Sequence, residues 1–400
     1  MASTKDEVEE ERPPLETDGV PVIDLDQSPE VFIPQIASAC ATYGFFQVIN
    51  HGIDACLVDA FRRQMQLFFS LPYDTKIKCK RREDNSRGYF DDELTKQRRD
   101  WKEALDVGVP GSRDWSLDDD DERNACLDGM NQFVPVDVLP DFRPTTVFYF
   151  NACTILSDQL AKYMQQGLEH TLDALKTKSG GDDIDVSLKK SHTSYLRMNY
   201  YPPCPPNHDD SVKEEKEEMA PLGISPHTDA GFLTVLVQDD DTHSLQVKMK
   251  GDEWVTVEPI PGALTINTGD MAMIWSNGLF KAPLHRVLTS PHQTRYSAPF
   301  FYNPGYDASI SPFVPPTKDI PTFASKYHSC VWGYFRAVRF AGDLTDLGVE
   351  IQISNFLIES SEDDKSGSTN HHIAKQAEFM KQVEFHEPFS VEKYRSLLES

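Results

Sequence analysis

No stretch of the chain approaches the roughly 18 consecutive apolar residues that a membrane-crossing helix needs. The opening residues, MASTKDEVEEERPP, are acidic and carry no apolar targeting core. The expected location is therefore the cytoplasm, without membrane contact. Basic residues are scarce: 39 Lys and Arg stand against 64 Asp and Glu, a formal charge of −25. Acidic clusters (DEVEEE, DDDDE, EEKEE, QDDD, ESSEDD) recur along the sequence. A surface of that sign repels phosphate backbones, so nucleic acid is not an expected partner. The one basic cluster, KIKCKRRED at 76–84, reads as a solvated stretch rather than an anion site. Seven scattered cysteines, an odd number without a C-x-x-C pair, give no zinc ribbon and no disulfide framework, and read as reduced thiols. No internal repeat is visible.

What the chain does have is apolar content of 39% with 10% aromatics, ample for a large core. Residues 1–19 read as a disordered acidic N-terminus. From 20 to 180 the pattern is mixed: helices in PEVFIPQIASACATYG and DACLVDAFRRQMQLFFSLP, a strand in GFFQVIN, and a long helix over TTVFYFNACTILSDQLAKYMQQGLEHTLDAL. Phe61, Met65, Phe68 and Phe69 recur at helical spacing, as do Phe150, Cys153, Leu160, Met164, Leu168 and Leu172; both stripes read as core. From about 194 the segments become short, β-branched and aromatic: SYLRMNYYPP, GFLTVLVQ, SLQVKM, EWVTVEP, ALTINT, MAMIW, HRVLT and RYSAPFFY. Such spacing predicts a sandwich, jelly roll or barrel with helices outside it. The expected divisions are a β core at 181–305, a C-terminal helical extension at 306–358, including ASKYHSCVWGYFRAVRFAG, and a flexible acidic loop with a terminal helix at 359–400.

ISPHTDAGFLTVL places His227 and Asp229 two apart at the mouth of an alternating apolar run. An H-x-D alone carries little: His208-Asp209-Asp210 has the same form inside a charge run with the marks of a solvated loop. The surroundings separate them. His285 opens a later predicted strand, whereas His243 lies in an acidic turn and His292 in a loop. Two imidazoles and one carboxylate suit an octahedral Fe(II) with open positions, where a closed tetrahedral set would suit structural zinc. Arg295 and Ser297, two apart on a strand, project to one side and form a fork for a carboxylate. The competing reading of Arg295 is an ordinary exposed strand arginine.

With PVIDL, YGFFQVINHGI, NYYPPCP, HTDAGFLTVLVQD, WVTVEPIPGALTINTGD, WSNGLFKAPLHRV and RYSAPFF together, residues from about 20 to 345 resemble the Fe(II)/2-oxoglutarate-dependent dioxygenases of the isopenicillin N synthase-like type. The resemblance implies a distorted double-stranded β-helix, or jelly roll, flanked by helices. It implies iron ligands at His227, Asp229 and His285. The distal carboxylate of 2-oxoglutarate falls on Arg295 and Ser297, with the Tyr201 hydroxyl at the same end and Asn199 near the oxo-acid; the bland reading of Tyr201 is a half-buried strand aromatic. Fe(II), 2-oxoglutarate and O2 follow as requirements, with ascorbate in support. The implied reaction hydroxylates or desaturates a small organic metabolite with release of succinate and CO2, in a protein expected to be a monomer.

Departures from the family pattern sit at the rim: the acidic insert 208–219, THSLQV in place of the usual Gly-Leu-Gln-Val, and Ala282 where Ser or Thr is common. They leave the substrate unassigned. The tail WGYFRAVRFAGDLTDLGVEIQISNF resembles a subgroup and reads as adding no chemistry. Candidate pocket walls are Tyr89, Phe90, Phe300, Phe301 and Tyr302, with a core role equally open to most of them. The rival functions are an iron oxidase that needs no 2-oxoglutarate, as in isopenicillin N synthase and aminocyclopropanecarboxylate oxidase, a nucleic-acid dealkylating dioxygenase, disfavoured by charge, and a non-catalytic jelly-roll binding module.

Overall fold

The computed structural model describes residues 15–17, 19–82, 85–92, 94–95, 98–109, 129–174, 192–204, 222–249, 251–313, 324–344, 351–358, 369–383 and 390–399. Strands β1 (Leu15–Thr17) and β2 (Val20–Asp24) form a hairpin whose pairing extends into the stretch expected to be disordered. Helix α1 (Pro29–Thr42) follows, with proline at its first position where the missing N–H has no intrahelical partner anyway. After β3 (Phe45–Ile49), helix α2 (Ala55–Phe69) is capped by Asp54, whose carboxylate accepts from Cys56 N at 2.7 Å. A short helix α3 (Tyr73–Lys76) leads to β4 (Gly88–Phe90), the small pair β5 (Leu94–Thr95) and β6 (Arg98–Arg99), and β7 (Glu103–Gly108). The basic cluster is less solvated than its composition suggests. Lys76 is buried on Glu103 at 2.5 Å, and Lys80 and Arg81 engage Asp91 and Asp92.

Helix α4 (Phe142–Ala174) lies across α1 and α2. Aromatic stacking seats it: Phe61 on Tyr149 at 4.1 Å and Phe68 on Phe142 at 5.1 Å between centroids. Both predicted apolar stripes are buried as far as their side chains are described; that of Leu172 falls outside.

The β core follows: β8 (Tyr195–Tyr201), β9 (Leu222–His227), β10 (Leu233–Gln238), β11 (Leu245–Lys248), β12 (Trp254–Thr256), β13 (Leu264–Thr268), β14 (His285–Leu288) and β15 (Arg295–Tyr302). One sheet runs β1-β2-β3-β13-β10-β15-β8-β7-β4 and the other β12-β11-β14-β9. All pairings are antiparallel except β2 with β3. Val20, Phe45, Tyr201 and Leu236 of the large sheet cluster with Leu245, Val247 and Val287 of the small one, so the sheets pack face to face. The first half of the chain thus completes both flanks of the large sheet, across the boundary expected at 181.

MAMIW is not a strand: Asp270–Trp275 forms a helical turn and a half, α5. Its reversal starts at Gly269, where a Cβ would stand 2.3 Å from the Gly231 carbonyl oxygen. The C-terminal extension is only partly helical. After the bridge β16 (Ser309–Ile310) with β17 (Cys330–Val331), helix α6 (Trp332–Leu344) begins later than the periodicity suggested. Helices α7 (Thr369–Gln382) and α8 (Val391–Glu399) pack against it. The Tyr334 hydroxyl meets His372 Nδ1 at 2.6 Å, and Gln376 bonds both Val331 N and the Ser329 carbonyl at 3.0 Å. The six cysteines among the described residues are free thiols, and no helix there is long and apolar enough to cross a membrane. The acidic insert 208–219 lies outside the described residues.

Candidate metal and co-substrate site

Strand pairing alone brings the two histidines together. His227 ends β9, His285 begins β14, and the two are direct partners across the antiparallel ladder, with ring centroids 4.3 Å apart. Asp229 lies two residues past the end of β9, and its Oδ1 comes within 3.8 Å of His227 Nε2 and 3.5 Å of His285 Nε2. These three side chains are the one His/Cys/Asp/Glu trio among the described residues with ligand atoms grouped within 4.8 Å. His243 is instead exposed and bonded to Glu258, and His292 is exposed in its loop.

Each donor is aimed by a second bond. His227 Nδ1 lies 2.8 Å from the Ser225 carbonyl and His285 Nδ1 3.2 Å from that of Pro283, each two residues upstream. A carbonyl only accepts, so Nδ1 carries the proton and the Nε2 lone pairs face the centre. Asp229 Oδ2 accepts from Thr234 Oγ1 at 2.5 Å and Asn267 Nδ2 at 2.7 Å, leaving Oδ1 for the imidazoles. Phe45 closes edge-on against His285 at 5.6 Å.

Burial and the Asp229 carboxylate set the electrostatics of the trio. Burial, reinforced by the facing His285, pushes the His227 imidazole down to about 3. Burial also depresses His285, but the Asp229 carboxylate outweighs it and leaves that ring raised. Burial would raise Asp229; His285, His227 and the Asn267 bond overcome it and hold the carboxyl well below its usual range. A buried carboxylate faced by the Nε2 atoms of two imidazoles is a ligand set that fits a divalent cation, which would take the place of any proton on His285, and two nitrogens with one oxygen leave open positions on an octahedral ion.

Arg295 lines the same cavity, buried to 4% exposure. Its Nη1 donates to Ser297 Oγ and its Nη2 to Gln238 Oε1, each at 3.0 Å, while buried Nε has no hydrogen-bond partner. The guanidinium also lies 5.1 Å from the Tyr201 ring centroid, because Tyr201 pairs with Arg295 across β8 and β15. Asn199 pairs with Ser297 on the same ladder, and its buried Oδ1 is likewise without a partner. Orphaned buried polar atoms around a cation are what a polar ligand would satisfy. All seven residues singled out in the sequence line one cavity of about 160 Å³.

Sequence reasoning missed the supports. Thr234 and Asn267 orient Asp229, and Gln238 orients Arg295, from neighbouring strands, and only their places near strand ends hinted at it. The tail, read as adding no chemistry, supplies Trp332, Arg336 and Arg339 to the lining. Of the candidate wall aromatics Phe301 lines the cavity, while Tyr89, Phe300 and Tyr302 sit in the main core and Phe90 is buried away from the lining.

Known proteins share this layout. Residues 192–304 match the family model of the 2OG-Fe(II) oxygenase superfamily, and residues 20–135 that of the non-haem dioxygenase in morphine synthesis N-terminal region. The jasmonate-induced oxygenase 2 of Arabidopsis thaliana is 33% identical over 304 residues, 73% of this chain and 72% of that protein. The homoarginine-6-hydroxylase 2-ODD-233 of Oryza sativa subsp. japonica is 31% identical over 308 residues, 75% and 86% of the two chains. Among solved structures, JOX2 in complex with 2OG, Fe and JA superposes with a TM-score of 0.59 at 28% identity, covering 79% of this chain and 83% of that one.

Proposed function

Because the chain belongs to the 2-oxoglutarate and Fe(II)-dependent oxygenase superfamily, in its plant type, we propose that it hydroxylates or desaturates a small organic metabolite at the cavity between its two sheets, with His227, Asp229 and His285 holding the iron. The chain is a 2-oxoglutarate-dependent dioxygenase with a distorted jelly-roll core, and its cofactors are Fe(II), 2-oxoglutarate and O2. When bound, iron with 2-oxoglutarate would activate O2 to the oxidant that removes a substrate hydrogen, 2-oxoglutarate leaving as succinate and CO2.

The protein's own part is to hold, orient and exclude. The two Nδ1 bonds to Ser225 and Pro283 keep the imidazoles in the tautomer a metal requires, and Thr234 with Asn267 fixes the carboxylate. Arg295 and Ser297 take the distal carboxylate of 2-oxoglutarate through charge-assisted bonds, with the Tyr201 hydroxyl at the same end and Asn199 beside the oxo-acid. Leu236, Leu245 and Val287 keep the surroundings apolar. We assign this chemistry to the segment 181–305, with 20–180 completing the large sheet and 306–358 walling the cavity.

The single observation that carries the reading is one cavity in which two imidazoles and a carboxylate converge and a buried guanidinium with an orphaned Nε faces the same space. The test is a metabolite screen following succinate with Fe(II), ascorbate and 2-oxoglutarate present. Succinate formed in step with substrate loss is expected. Substrate oxidation without succinate would assign the chain to the oxidases that dispense with 2-oxoglutarate.

A further inference from the structure

One buried carboxylate has no place in the chemistry set out so far. Asp270 opens α5 and is 1% exposed. Its backbone N–H donates to the Asp229 carbonyl at 2.8 Å, and those of Gly269 and Met271 donate to the Phe232 and Gly231 carbonyls at 3.0 Å each. The start of α5 is thus packed onto the segment that carries the metal ligand Asp229. The Asp270 side chain adds a further tie: its Oδ2 accepts from Thr228 Oγ1 at 3.4 Å, and Thr228 stands between the ligands His227 and Asp229.

The other carboxylate oxygen is the unusual one. Asp270 Oδ1 is buried without a hydrogen-bond partner. A buried carboxylate with half of its acceptor capacity unmet is costly, and a fold that needed only the shape would be better served by a neutral side chain. Burial pushes the carboxyl up to about 6, and the Arg339 guanidinium of α6 is the largest force against it, followed by the Thr228 bond. Arg339 is shared, since it also donates to the Ile351 carbonyl at 3.2 Å. Asp229 pushes in the same direction as burial, because the two carboxylates feel one another. Like charges gathered out of water repel, and a divalent cation held by His227, Asp229 and His285 would relieve both at once.

Resting on the iron-site reading above, we propose that Asp270 is a positioning residue of the metal site: held at the ligand loop through Thr228, its carboxylate supplies a second negative charge that strengthens the grip on a divalent cation without touching it. The same charge repels a dianionic co-substrate. Asp270 therefore favours the metal and disfavours 2-oxoglutarate, a split of opposite signs that packing alone does not produce.

The test uses the full-length protein under nitrogen at neutral pH. Fe(II) is titrated into the metal-free protein by calorimetry, and 2-oxoglutarate is then titrated into the Fe(II)-saturated protein. Asp270→Asn keeps the shape and an acceptor for Thr228 while removing the charge. It is expected to weaken Fe(II) binding about tenfold to a hundredfold and to leave 2-oxoglutarate binding as tight as in the parent, or tighter. A merely structural role would loosen the loop and weaken both. Asp270→Ser, neutral and smaller, carries the same expectation and is read if D270N does not fold. Unchanged Fe(II) affinity in a folded neutral variant overturns the proposal, as does a parallel loss of Fe(II) and 2-oxoglutarate affinity. Failure of both variants to fold also overturns it, since the carboxylate is then a structural group. A parent protein that takes up no Fe(II) strikes the oxygenase reading itself, whereas a D270N protein that behaves like an Fe(II)-binding parent leaves that reading in place.

Discussion

Replacing Arg295 by alanine separates a co-substrate anchor from an ordinary buried arginine. The side chain is buried to 4% exposure, already bonded to Ser297 and Gln238, and keeps an unpartnered Nε. A carboxylate here would gain charge-assisted bonds in a site shielded from water, where truncating one partner of a buried charged pair costs about 2–5 kcal/mol. At about 1.4 kcal/mol per factor of ten, the 2-oxoglutarate dissociation constant should rise roughly 30- to 3000-fold. The assay is an anaerobic 2-oxoglutarate titration of the Fe(II)-loaded protein followed by calorimetry. Iron affinity, measured alongside, should hold, since Arg295 touches none of the three ligand side chains. Alanine also leaves Gln238 and Ser297 without their partner, costing about 1–3 kcal/mol of stability, so the melting temperature is read in parallel. R295K, which restores a point charge without the fork, should recover part of the affinity. An R295A protein that binds 2-oxoglutarate as tightly as the parent refutes the anchor.

Three further outcomes follow from the same geometry. Asn267→Ala removes one of the two bonds on Asp229 Oδ2 and should weaken Fe(II) binding by roughly 10- to 100-fold in an anaerobic metal titration; unchanged affinity would show that Thr234 alone orients the carboxylate. Gly269→Ala drives a Cβ to 2.3 Å from a backbone oxygen that no rotamer can move, and should cost about 1–3 kcal/mol by chemical denaturation; a neutral result would mean the turn into α5 relaxes freely. Chelation should stop succinate release and Fe(II) should restore it. Adding the ion at about 100 times its dissociation constant should stabilise the fold by about 2.7 kcal/mol, or roughly 3 °C in melting temperature for a chain of 400 residues, and the absence of any shift would argue against a metal in this trio.

Much of this was legible in the sequence because the informative signals were local. Alternation wrote β8, β10 and β15 directly, and the face that carries Arg295 and Ser297 follows from a period of two. The distinction between the H-x-D at 227 and its counterpart at 208 came from the apolar strand that follows only the first. MAMIW was misread because five apolar residues have no period of their own, and what decides them is Gly269 approaching Gly231, a contact between separate segments. Gln238, Asn267 and Thr234 were missed for a related reason: each is an ordinary strand residue until β10, β13 and β15 are laid side by side. Arg336 and Arg339 were visible as helical residues, but which way a helix turns its faces depends on what packs behind it.

What packs behind α6 is the end of the chain. The Tyr334 hydroxyl is tied to His372 and the start of the helix to Gln376, while Phe379 closes edge-on against the Tyr334 ring. Helices α7 and α8 therefore act as a bracket for a wall to which none of their described residues contributes a lining side chain. Sequence drift in that bracket can tilt the wall and change which molecules are admitted, while the strands that carry His227 and His285, packed against Val20 and Phe45 from the first part of the chain, keep their alignment.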